Sequence, residues 1–132
     1  MPRPPVIRDM ILCEEIVRDP DHPRRISLLG LLSNINSLDD VPYPLLFPEI
    51  CVFVQMTQCT GVNDIGVRIE FPDTGNPVFQ TKTYPHSFGN DPLAIHGLSF
   101  RIKNCSFPEP GLYSFEFCYN DSAKATRYLL LR

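Results

Sequence analysis

Phe107-Pro108-Glu109-Pro110-Gly111-Leu112-Tyr113-Ser114-Phe115-Glu116-Phe117-Cys118-Tyr119-Asn120-Asp121 decides the fold. Pro108 and Pro110 cannot donate ladder hydrogen bonds, so they end the segment before them. Gly111 supplies the permissive backbone of a turn exit. Tyr113, Phe115, Phe117 and Tyr119 then fall at every second position, with Ser114, Glu116 and Cys118 between them. Strict alternation predicts a strand with one wholly aromatic face, whereas a helix would scatter those rings. Each buried aromatic contributes roughly 1.5–3 kcal/mol by apolar transfer, so this face is a large part of any core. Asn120-Asp121-Ser122 turns the chain into a last strand over Ala125–Leu131, completing a C-terminal hairpin.

Outward from this hairpin the chain reads as short strands between proline- and glycine-marked turns. Strands are predicted over Asp9–Val17, Arg25–Ile35, Ile50–Gln58, Ile65–Phe71, Val78–Thr83 and Leu98–Asn104. The Arg18–Pro23 loop and the Pro72–Pro77 turn separate neighbouring strands. Gly30 marks a bulge or a close backbone approach. Residues 1–7 read as a loose leader. Asn36–Glu49, with Pro42, Pro44 and Pro48, reads as an irregular crossing between sheets, and Tyr84–Gly97 as a long loop. The expectation is an all-β, single-domain antiparallel β-sandwich of the immunoglobulin-like kind, spanning residues 1–132 with about eight strands.

Composition bounds the function. The 132 residues suffice for one domain with a real core. Hydrophobic residues make up 43%, so the chain is not disordered by composition. Net charge is −3 with no run of Lys or Arg, which argues against a nucleic-acid partner. No stretch matches a membrane-spanning helix, and the opening residues lack the apolar run of a signal peptide, so a cytoplasmic location is expected and no membrane partner. The five cysteines (Cys13, Cys51, Cys59, Cys105, Cys118) are widely spaced and contain no C-x-x-C, so neither a disulfide framework nor a zinc knot is expected. They read as small, partly buried apolar residues.

The pattern Cys13-Glu14-Glu15-Ile16 followed by Ser27-Leu28-Leu29-Gly30-Leu31-Leu32 resembles the opening of a family of small bacterial proteins of unknown function. Val52-Phe53-Val54, the Pro72-Asp73-Thr74-Gly75 hairpin and the closing Pro110–Phe115 extend the resemblance along nearly the whole chain. It implies a β-sandwich and carries no activity.

Several constellations could carry chemistry. His86, Asp91 and His96 share one loop and are the weak candidates for a metal; the plainer reading is turn-stabilising polar residues, and no metal or cofactor is expected. Glu14 and Glu15 could form an acid–base pair, but neighbours on a strand point to opposite faces. A buried Glu14 would need Arg68, Arg101 or Lys103 as partner. Cys118 lies opposite the aromatic face, which makes it the most exposed thiol expected and the candidate nucleophile of a Cys-dependent enzyme. No glycine-rich phosphate cradle is present. A non-enzymatic interaction module, or a self-associating domain, is the leading reading, with Tyr43, Phe47, Tyr84 and Phe88 as partner anchors and another protein or a second copy as partner. The alternatives are a small-molecule binder with its ligand between the sheets, and a metal- or Cys-dependent enzyme.

Overall fold

The structure is a computed structural model that describes residues 5–32, 34–35, 43–71 and 76–132. Strands are β1 (Val6–Arg18), β2 (Ile26–Leu31), β3 (Asn34–Ile35), β4 (Leu45–Thr57), β5 (Val62–Phe71), β6 (Asn76–Gln80), β7 (Tyr84–Ser87), β8 (His96–Phe107), β9 (Gly111–Tyr119) and β10 (Ser122–Leu131). They form a four-stranded sheet in the order β2-β1-β4-β8 and a six-stranded sheet in the order β3-β10-β9-β5-β6, with β7 also pairing β5. All pairs are antiparallel except the two-residue β3 against β10. The two sheets pack face to face, as a β-sandwich does.

The aromatic face of β9 sits at the centre. Tyr113, Phe115 and Phe117 have no exposed surface, and Tyr119 is buried. From the four-stranded sheet they meet Met10, Leu12, Ile50, Val52, Val54, Leu98, Phe100 and Ile102. Rings interlock across the sheets: Phe107 lies 4.8 Å from Tyr113, edge to face, and Phe100 lies 5.9 Å from Phe117, tilted. The Tyr113 hydroxyl donates to the Glu109 carbonyl at 2.5 Å, so the turn before β9 is tied to the strand it starts. Asn120 and Asp121 adopt φ of 49° and 65°, the double left-handed turn that matches the twist of a tight hairpin.

Three expectations are corrected. Val6 and Ile7 belong to β1 rather than to a loose leader, and residues 1–4 lie outside the described residues. The crossing does not extend to Glu49, because β4 starts at Leu45 and pairs with β8 from Leu45↔Phe107 onward. Pro48 is tolerated there because β1 leaves β4 at Cys13↔Cys51, so no β1 carbonyl on that side of β4 waits for the N–H that Pro48 lacks. The Tyr84–Gly97 loop contains β7 and the first residues of β8. The short strands β3 and β7 join the roughly eight expected, and the all-β antiparallel sandwich stands. The Pro72–Gly75 turn and residues 36–42 lie outside the described residues.

Single-strand irregularities occur at Ile7/Asp9, Ile69/Glu70 and Ala123/Ala125, and among the described residues there are two further places where both strands of a pair change face. In β4 the buried-side residues run Leu45, Phe47, then Ile50, Val52; in β8 they run Ile102, then Cys105, Phe107. Both strands change face together where Pro48 lies opposite Asn104, which has φ 54°. The same happens where Glu14 lies opposite Gly30, which has φ 68°. Before that point Met10 and Leu12 face the main core; after it, Ile16 and Leu28 join Cys13, Cys51, Phe53 and Ile26 in a second apolar cluster. Phe53 and Cys51 lie on the opposite side of β4 from Val52 and Val54, so the β1–β2 hairpin tip folds over the outer face of the four-stranded sheet.

Candidate functional site

The structure separates the residues singled out above. His86 and His96 both approach the Phe88 ring, at centroid distances of 4.7 and 5.1 Å. Asp91 instead accepts a hydrogen bond from the Leu93 amide at 2.9 Å and shapes the loop. No group of three metal-ligating side chains occurs among the described residues. Glu14 is exposed rather than buried, and its side chain lies against Gly30, where an added Cβ would sit 2.8 Å from Oε2. Arg68 pairs with Glu70 at 2.9 Å and with Glu116, and Arg101 lies 3.6 Å from Glu49, so neither serves Glu14.

Cys118 is buried, contrary to expectation. It faces Gly66 across the β5–β9 pair, and Thr81 and Thr83 pack over Gly66. All five thiols are free and buried. Burial pushes each of them above the ordinary thiol value, Cys13 and Cys105 to about 11.

Of the four aromatic anchors, Phe88 is corrected outright: it is 3% exposed and packs in the core, because Phe88 and Gly89 hydrogen-bond to Gly61 and draw the loop inward. Phe47 is half-buried against Phe107. Tyr43 is half-buried, and its hydroxyl donates to the Arg132 carbonyl at 3.3 Å. Tyr84 keeps an exposed ring, tilted 6.4 Å from Phe100.

The site that sequence reasoning missed lies where the hairpin folds over. A groove of about 510 Å³ runs between the hairpin tip and β8. Arg18, Arg24 and Ile26 form one wall, Phe53, Gln55, Gly97 and Ser99 the floor, and Ile95 the far rim. The floor is aromatic because Phe53 lies across Gly97, 3.2 Å from where a Cβ would stand. Arg101 donates to the Ile16 carbonyl at 2.8 Å and pins the hairpin to the sheet. Arg18 donates to the Pro23 carbonyl at 2.6 Å and is held across the loop. Among the described residues neither Arg18 nor Arg24 pairs with a carboxylate. The rim is fixed by Thr57, whose hydroxyl donates to the Ala94 carbonyl at 3.0 Å. Leu93 and Ile95 stand exposed on it. No local pattern reveals this site, because Phe53 and Gly97 meet only through the β4–β8 register. A second cleft of about 410 Å³ at one end of the sandwich is walled mainly by proline rings and hydrocarbon, among them Pro44, Phe71, Pro77, Val78 and Pro108.

Comparison with known proteins supplies a family and a fold. The chain matches the model of a family of unknown function (DUF6941) over residues 8–131, and it belongs to that family. No curated protein matches it. Among solved structures it is similar to the Pseudomonas fluorescens alkylpurine DNA glycosylase AlkC bound to DNA containing an abasic site analog, with a TM-score of 0.54 and 12% identity. The likeness covers 97% of this chain and 30% of that one, so the chain spans under a third of that protein, and what they share is the fold. Among the described residues no helix is long and apolar enough to cross a membrane.

Proposed function

We propose that this member of a family of unknown function is a non-enzymatic binding module that receives another protein in the groove between the β1–β2 hairpin and β8. The observation that carries the reading is the groove itself: two arginines that pair with no carboxylate among the described residues, one of them held by the Pro23 carbonyl, above a floor to which the buried Phe53 ring presents an edge. Sheet faces and edges are where sandwich domains commonly recruit partners. The ligand-between-sheets alternative is weakened because the aromatic face of β9 is filled by the opposite sheet. The Cys-dependent alternative is weakened because all five thiols are buried and burial raises their pKa, which disfavours the nucleophilic thiolate. Five free thiols also suit a reducing cytoplasm. The Tyr113–Glu109 bond supports the immunoglobulin-like assignment, since such sandwiches commonly tie a corner tyrosine back to upstream backbone.

Ser99 is exposed and sits opposite Phe53, so Ser99→Trp fills the groove from the outer face, away from the core between the sheets. The same lysate is passed over the wild-type chain and the variant, and the retained proteins are compared by quantitative mass spectrometry. A protein held by the wild type and lost from Ser99→Trp is the expected result. Identical retained sets would overturn the reading.

A further inference from the structure

We infer that the groove takes an extended peptide segment in which an Asp or Glu stands next to an apolar residue. This rests on the groove reading and adds the chemistry of the occupant. Three observations select it. First, Arg18 and Arg24 come from the same wall, and Arg18 is already oriented by its bond to Pro23, so a carboxylate meets a preset donor. Second, Ile26 and Ile95, with the exposed edge of the otherwise buried Phe53, offer apolar surface beside those cations, while Gln55 and Ser99 can bond a peptide backbone. Third, β8 is the edge strand of its sheet, so the groove floor runs out to a row of main-chain groups that an extended segment can use. Overall charge selects against a long polyanion: the chain carries −3, and two arginines beside Asp19 and Asp21 match a short acidic stretch rather than a nucleic-acid backbone.

The test is selection from a library of random dodecapeptides displayed on phage against the intact chain. The enriched peptides are then synthesised and titrated against wild type, Arg24→Glu and Ser99→Trp by fluorescence anisotropy. Arg24 is exposed and has no carboxylate partner among the described residues, so its reversal leaves the fold intact, which circular dichroism checks. The expected result is enrichment of Asp or Glu beside Leu, Ile or Phe, with affinity falling about tenfold or more in both variants. Neutral or basic peptides that lose affinity only in Ser99→Trp would overturn the acidic occupant and leave the groove reading standing. Peptides indifferent to both variants, or no enrichment at all, would overturn both. A labelled oligothymidylate that binds more tightly than any peptide and is lost in Arg24→Glu would replace the peptide with a nucleic acid and overturn the inference.

Discussion

Single residues set the tolerances of this fold. Gly111 has φ 151°, and a Cβ there would stand 2.5 Å from the Phe71 ring, which packs 5.1 Å from Tyr113. Gly111→Ala is expected to cost about 2 kcal/mol through backbone strain and a displaced ring, seen as a lower midpoint in urea unfolding; an unchanged midpoint would show that Phe71 moves aside freely. The thiols set an alkaline limit. Burial raises Cys13 and Cys105 from the ordinary 9.0 to about 11, so the native state keeps protons that the unfolded chain releases. Stability from these groups is therefore complete below pH 9 and lost as pH climbs through 9 to 11. Urea midpoints measured across that range should fall, and Cys105→Ala should flatten the fall; a pH-independent midpoint would contradict it.

Elements show which readings travel from sequence to structure. The alternation of β9 was legible because period two needs nothing beyond the strand itself, and its aromatics are buried as the pattern predicts. The Asn120–Asp121 turn was legible for the same local reason. Asn120 adds what sequence cannot show: its Oδ1 accepts from the Asp64 amide at 3.0 Å and its Nδ2 donates to Asn63 at 3.0 Å, tying the hairpin to β5. Asp121 has no such side-chain role among the described residues. Asp121→Gly should therefore raise stability by a few tenths of a kcal/mol by relieving its left-handed φ, while Asn120→Gly should cost about 1 kcal/mol in lost bonds. Thermal unfolding of both variants checks the contrast, and equal shifts would refute it. Pro48 misled because a proline is harmful only where its neighbour needs a donor, which depends on where β1 ends. Cys118 and Phe88 misled for a similar reason: their covers, Thr81–Thr83 and the Gly61 bonds, come from elsewhere in the chain.

At the scale of the whole molecule there are two apolar clusters, one between the sheets and one under the folded hairpin. The groove belongs to the second, and its floor residue Phe53 links hairpin and sheet. Phe53→Ala removes that link while leaving β9 and its partners packed. Hydrogen exchange should then quicken in residues 14–28 and stay slow in β9; uniform quickening would mean that the two clusters unfold as one. The fold and its aromatic core were legible in sequence, but the groove was not, since it exists only where two distant ladders bring a hairpin tip over a glycine. The paired changes of face at Glu14/Gly30 and Pro48/Asn104 also govern how such a chain can lengthen or shorten over generations. Each acts as one residue inserted into both strands at once: removing one member shifts its strand against the partner, whereas removing the two together restores ordinary alternation. Among descendants of this sequence, length changes at these positions should be inherited in matched couples across the ladder.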